Sequence, residues 1–238
     1  MTFNGFKINY TLDGATYIEN SDISVNQSDF DSLFDDLVWY MKFDTDYTDS
    51  THNNFDGIPL NNVSLIKKGS GSSKKGYIHI GSYSSQVRGN ISPNITKKFT
   101  LCTWFNPESL NNPVISEIVY LHNNGNDALG LRLGDSSVPQ NHLQLYLDWA
   151  KLNSNYDVPL NTWTHVCAKY DGFFMYLYIN GVKDTQKVNT ASINYISTFW
   201  VGQGEGSDRI LKGDIDEVML WNRALSSNEI LQVYNSGR

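Results

Sequence analysis

Carboxylates, side-chain amides and aromatic rings are what this sequence offers for chemistry. Cysteine occurs twice and histidine five times, and no Cys/His spacing suits a tetrahedral zinc centre. The densest acidic string is Asp214-Ile215-Asp216-Glu217. Serines, histidines and aspartates are scattered, and no serine stands in a nucleophile-elbow context. His165 falls inside an apolar strand-like run and reads as a packed histidine rather than a base. Oxygen donors are plentiful, as a hard cation with about six to eight ligands requires; Asp49, Asn53 and Asn54 share one polar loop. Sugar recognition combines an aromatic platform for C–H faces with Asn, Asp and backbone groups for hydroxyls. The chain carries 14 Tyr, 11 Phe and 6 Trp. Within 143–149, leucines alternate with polar or aromatic residues. A strand there displays Tyr146 and Asp148 opposite its leucines, next to Trp149. Tyr83, Tyr156 and Trp200 are further candidate rings. For each ring, burial in a core is the competing reading.

The elements that must position these groups are short and extended. Of 238 residues, 40% are hydrophobic and 18% charged, enough apolar mass for a core and too little charge for general disorder. The formal net charge of −7 argues against sequence-independent nucleic-acid binding, which needs a basic face. No apolar run reaches the length of a membrane span. The first residues lack a basic n-region followed by an apolar h-region, so no secretory signal is expected. Clear alternation begins at Leu37, where Leu37, Trp39, Met41 and Phe43 share one face. Strands are predicted at 77–80, 99–105, 118–121, 128–133, 143–147, 163–170, 173–179 and 215–221. Asp171-Gly172 joins two of them and Asn180-Gly181 ends the second; both dipeptides favour the positive φ of hairpin turns. Ser226 and Glu229 form a capping box for a short terminal helix that Gly237 stops. Residues 1–36 read as an N-terminal extension or arm, 67–76 as a Gly/Ser/Lys-rich loop, and 37–238 as one domain. About a dozen strands separated by turns predict an all-β, two-sheet antiparallel sandwich.

Three segments carry a family resemblance. Gly213-Asp214-Ile215-Asp216-Glu217-Val218-Met219-Leu220-Trp221-Asn222-Arg223-Ala224-Leu225 resembles the signature of concanavalin A-like, laminin G-like jellyroll domains. So do the hairpin from Asn161-Thr162-Trp163-Thr164-His165-Val166 to Tyr178-Ile179-Asn180-Gly181 and the opening Leu37-Val38-Trp39-Tyr40-Met41-Lys42-Phe43-Asp44. In addition, Phe99-Thr100-Leu101-Cys102 and His165-Val166-Cys167 resemble the two disulfide-joined strands of pentraxins. That resemblance implies a Cys102–Cys167 bridge, worth roughly 4 kcal/mol in the chain-entropy account. On the residues alone, two buried free thiols stand beside it.

The resemblance also implies calcium. In laminin G-like domains the Asp/Asn loop shares a structural ion with the Ile-Asp-Glu segment, here Asp49, Asn53, Asn54 and Asp216. A pentraxin-like second site would use Asn126, Asp127, Gln203, Glu205 and Asp208. The competing reading is that these are turn formers whose side chains bond backbone amides. Glycoside hydrolases of this sandwich carry paired carboxylates on one strand, as Glu-x-Asp-x-(x)-Glu. No such string occurs here, so enzyme activity is not expected.

One fold hosts many activities, and two are expected. The first is a non-catalytic, calcium-stabilised glycan-binding or adhesive module that binds a glycan or a cell-surface protein. The second is a virion, fibre or surface-assembly protein using the sandwich for protein contacts, including a homo-oligomer, with the arm as its docking segment. Either places the chain outside the cell or on a virion surface. Asn-x-Ser/Thr triplets at Asn9, Asn26, Asn62, Asn90 and Asn94 are acceptors only on a eukaryotic secretory route.

Overall fold

The computed structural model describes residues 6–12, 15–21, 33–67, 76–95, 97–110, 115–123, 126–135, 138–190, 193, 195–206 and 208–237, with backbone alone for 6–12, 15–21, 126–128 and 138. The loop residues 68–75 and the arm residues 22–32 lie outside them. The chain divides into two compact units, Met1–Asp35 and Asp36–Arg238. In the first, β1 (Phe6–Leu12) pairs antiparallel with β2 (Ala15–Ser21).

The second unit is a sandwich of two antiparallel sheets. One has seven strands in the order β12 (Ala150–Asp157), β11 (Val138–Leu147), β10 (Asn126–Asp135), β9 (Ser116–Asn123), β16 (Thr198–Val201), β7 (Gln86–Asn90) and β4 (Ile58–Leu60). The other runs β15 (Val182–Val188), β14 (Phe174–Ile179), β13 (Thr164–Tyr170), β8 (Phe99–Ser109), β17 (Lys212–Trp221), β6 (Tyr77–Ile80) and β5 (Val63–Ile66), with β3 (Leu37–Met41) paired to β17. Alternation decides which residues meet in the middle. Leu129, Leu131, Leu143, Leu145, Val119, Leu121, Phe199 and Val201 point inward from the first sheet. Leu101, Phe105, Val166, Ala168, Ile215 and Leu220 point inward from the second. Trp39 packs on Phe199 with ring centroids 4.4 Å apart.

The expected hairpins form. Asp171 Oδ1 accepts from the backbone N–H of Phe173 and Phe174 at 2.9 and 2.7 Å and shapes the β13–β14 turn. Asn180 (φ +49) and Gly181 (φ +80) close β14 onto β15 with Ile179 opposite Val182, a two-residue turn whose backbone suits the strand twist. Helix α1 (Ser227–Ser236) starts with the capping box: Ser226 Oγ accepts from Glu229 N, and Glu229 Oε2 accepts from Ser226 N at 2.7 Å. Gly237 ends it for a different reason than expected. Its φ is −80°, not left-handed. A Cβ there would clash with Trp104 Nε1, so the glycine serves close approach rather than a special dihedral.

The helix lies over the outer face of the eight-stranded sheet. Tyr234 stacks on Trp104 at 5.4 Å, and the Tyr178 and Ser227 hydroxyls meet at 3.0 Å. Cys102 and Cys167 face each other across β8 and β13 and are joined by a disulfide. Lys169 Nζ donates to Leu225 O at 3.1 Å and sits 4.3 Å from the Tyr176 ring. His165 is fully buried beside Trp104, and burial pulls its imidazole down to about 3, so it stays neutral at pH 7. It is thus a packed histidine, as the sequence suggested, although among the described residues its buried Nδ1 has no hydrogen-bond partner. Among the described residues, no helix is long and apolar enough to cross a membrane.

Candidate functional site

The outer face of the seven-stranded sheet carries a lateral row of side chains set by strand register. Ile58 lies opposite Arg88, Arg88 opposite Trp200, Trp200 opposite Tyr120, Tyr120 opposite Gly130, Gly130 opposite Tyr146, and Tyr146 opposite Lys151. A parallel row places Asn90 opposite Thr198 and Thr198 opposite His122. Because Phe199 and Val201 are inward, Thr198 and Trp200 must be outward.

A cavity of ≈ 520 Å³ opens on the β4, β7, β16 and β9 half of this face, lined among others by Asn54, Asp56, Arg88, Asn90, Thr198 and Trp200. Its floor is aromatic. Tyr120 stacks on His122 at 4.9 Å, and Trp200 meets His122 edge-on at 4.8 Å and Tyr120 at 5.9 Å. Among the described residues, the Arg88 guanidinium, the Trp200 indole N–H, the Asn90 amide and the Thr198 hydroxyl make no side-chain hydrogen bond or ion pair. Donors, acceptors and a half-buried ring thus converge on one concave surface, the arrangement that orients a small polar ligand.

The β10–β12 half is different. Arg132 donates through Nε and Nη2 to Gln144 Oε1 at 2.8 and 2.6 Å. Gln144 Nε2 donates to Asp135 Oδ2 at 3.1 Å and Asn153 Oδ1 at 2.8 Å, and Lys151 Nζ donates to Asp135 Oδ2 at 2.6 Å. The Arg132 guanidinium lies 4.8 Å from the Tyr146 ring centroid. At the junction, Glu117 is 1% exposed. A Cβ on Gly130 would sit 2.7 Å from Glu117 Oε1, and one on Gly204 would sit 2.7 Å from Oε2, so both glycines make room for this carboxylate.

The residues singled out from sequence distribute unevenly. Tyr146 does point away from its leucines, but it is buried beneath Arg132 rather than displayed. Asp148 and Trp149 are not on the strand. With φ of +43° and +69° they form the two-residue turn between Leu147 and Ala150, where Trp149 is 81% exposed. Tyr156 packs against the core, and the Lys212 ammonium lies 5.5 Å from the exposed Tyr83 ring. Trp200 is the ring that reaches the cavity. The strands β4 and β7, which supply Ile58, Arg88 and Asn90, were missed. They are short, one contains Pro59 and the other Gly89, and neither shows a run of alternation.

Of the expected calcium ligands in this loop, the Asp49 carboxylate has its lone pairs taken by the loop itself and by Tyr40. Asp49 Oδ1 accepts from Tyr40 N and Thr51 N, each at 3.0 Å, and Oδ2 accepts from Thr51 Oγ1 at 2.8 Å and Phe55 N at 3.0 Å. A carboxylate offers about four lone-pair sites, and all are taken. Asn53 donates to Val38 O and Asn54 to His52 O. Asp216 is buried and accepts from Glu217 N at 3.0 Å. Of the second set, Gln203 donates to Gly206 O, Glu205 and Asp208 are exposed, and the side chains of Asn126 and Asp127 lie outside the described residues. Among the described residues, no group of three His, Cys, Asp or Glu ligands includes Asp49, Asp216, Glu205 or Asp208.

The carboxylates of the acidic string face other partners. Asp214 bonds His79 and Asn106, and Glu217 accepts from the Tyr40 hydroxyl. Burial first and Glu217 second push that hydroxyl well above the ordinary tyrosine range. None of the three acids lines the cavity.

Comparison with known proteins agrees with this architecture. No curated protein matches the chain in sequence. Among solved structures, domain 4 of AbnA, an extracellular GH43 arabinanase from Geobacillus stearothermophilus in complex with arabinotriose, superposes with a TM-score of 0.64 at 19% identity, over 83% of this chain and 98% of that one. The binding domain of Paraclostridial Mosquitocidal Protein 1 gives 0.69 at 19% identity, over 86% and 53%. The binding domain of botulinum neurotoxin DC in complex with SialylT gives 0.65 at 17% identity, over 85% and 51%. The chain therefore spans about half the length of these toxin domains. At such identities the likeness is one of fold. Residues 74–231 match a family description, and on that match the chain belongs to the concanavalin A-like lectin/glucanases superfamily.

Proposed function

We propose that the chain is a non-catalytic glycan-binding module whose combining site is the cavity between β4, β7, β16 and β9. The observation that carries this reading is the set of unspent polar groups on Arg88, Trp200, Asn90 and Thr198 around one aromatic floor. The Trp200 ring offers an apolar face to sugar C–H groups, and the four polar groups supply hydroxyl partners in a site that is already formed. Two structurally similar domains were solved with arabinotriose and with SialylT, which supports a saccharide as the ligand class. The disulfide fits an oxidising compartment, in keeping with an extracellular location.

A glycan array that includes arabinotriose, followed by titration calorimetry on each hit, tests the reading. Saturable binding that is strongly weakened by Trp200→Ala and kept on Trp149→Ala is expected. Binding that is indifferent to Trp200→Ala, or no glycan bound at millimolar concentration, would overturn it.

A further inference from the structure

We propose that His79, Glu108 and Asp214 form a binding site for a zinc-class divalent transition metal on the outer face of the eight-stranded sheet. The three residues come from β6, β8 and β17, adjacent strands whose register sets Asp214 opposite both His79 and Asn106. Ile78 and Ile80 are buried on either side of His79, which turns the imidazole outward. His79 Nδ1 lies 2.9 Å from Asp214 Oδ1 and 3.6 Å from Glu108 Oε1. The three ligand atoms all lie within 4.8 Å of one another.

Two physical points distinguish this cluster from an ordinary ion pair. The first is valence. Both carboxylates aim at one ring nitrogen, and that nitrogen carries at most one proton, so it can bond only one of them. A dication satisfies both carboxylates and the nitrogen together. The second is spacing. Metal–ligand bonds near 2.0–2.1 Å at tetrahedral angles put ligand atoms about 3.3 Å apart, and the two imidazole–carboxylate separations bracket that value. One nitrogen and two carboxylates suit zinc-class ions, whereas calcium takes an all-oxygen shell.

The surroundings hold the ligands in place. Asn106 Nδ2 donates to Asp214 Oδ2 at 3.1 Å, leaving Oδ1 for the metal. It does so although, among the described residues, its own buried Oδ1 has no hydrogen-bond partner. Such outer contacts orient ligating carboxylates. Glu108 is half exposed, so the site opens to solvent and leaves the fourth position to water or another oxygen donor. The other His/Cys grouping, Cys102, His165 and Cys167, offers no thiolate because its sulfurs form the disulfide.

The site is independent of the sugar-binding reading, since none of its residues lines the cavity. The test is calorimetric titration of zinc chloride into the chelator-stripped full chain at neutral pH, with thermal melting in parallel. One saturable equivalent and a raised melting temperature are expected. His79→Ala and Glu108→Gln should each weaken binding by about tenfold or more. Glu108→Gln changes a half-exposed residue and keeps the fold intact, so loss of binding there is not loss of structure. Cobalt(II) as a probe should give the visible band of a four-coordinate ion, absent in His79→Ala. No stoichiometric zinc binding, or unchanged binding in both variants, would overturn the proposal.

Discussion

The two halves of the outer face of the seven-stranded sheet are both antiparallel and have opposite chemistry. Over β10, β11 and β12 the polar side chains find each other: Arg132, Gln144, Asp135 and Lys151 form one connected network with Tyr146 packed beneath the guanidinium. Over β4, β7, β16 and β9, Arg88, Asn90, Thr198 and Trp200 face a cavity with their hydrogen-bonding groups unspent. A buried polar group costs free energy unless it is bonded, so the first half is structural. An unspent group beside an aromatic ring on a concave surface is capacity for a ligand. Polarity and aromatic content, which both halves share, do not separate them; internal satisfaction does.

Substitutions on either side can break or sharpen this contrast. The largest expected effect is Asp135→Ala, which removes the buried acceptor shared by Gln144 Nε2 and Lys151 Nζ and should cost roughly 3 kcal/mol of stability, read from urea unfolding, with glycan affinity unchanged. Next, Trp200→Ala should weaken glycan binding by roughly 2 kcal/mol, about thirtyfold, in calorimetry, with the sheet signature in circular dichroism retained. At the boundary, Gly130→Ala places a methyl against the Glu117 carboxylate and should cost about 1 kcal/mol in thermal melting. Smallest of all, Arg88→Ala should leave stability within about 0.5 kcal/mol, because the exposed guanidinium has no partner among the described residues to lose, while reducing affinity. A strongly destabilised Arg88→Ala, or a folded Asp135→Ala that no longer binds, would erase the distinction.

The sequence made the scaffold readable and left the site largely hidden, for a physical reason. Long strands such as β8, β13, β14 and β17 repeat their alternation often enough to be seen, and the Asn180-Gly181 turn and the Ser226–Glu229 box carry their own local chemistry. The cavity strands do not. β4, β7 and β16 have three to five residues each, and their pairing comes from neighbours distant in sequence. Trp200 could be named as a ring but not placed. Tyr146 was correctly read as facing away from its leucines, yet the outer face there is itself covered by Arg132, which alternation cannot reveal. Asp49 shows the same limit for ions: a loop of oxygen donors looks alike whether it faces a cation or its own amides.

The direct register of Cys102 and Cys167 has a practical consequence. Hydrogen bonding on both sides, with Thr103 opposite Val166 and Leu101 opposite Ala168, keeps the two sulfurs neighbours even after a reductant cuts the link. Re-joining them is then a reaction within one molecule. The chain has no third cysteine with which to mispair. Protein made in a reducing cytoplasm and later exposed to air should therefore seal itself with the native connection and need no isomerase to correct it.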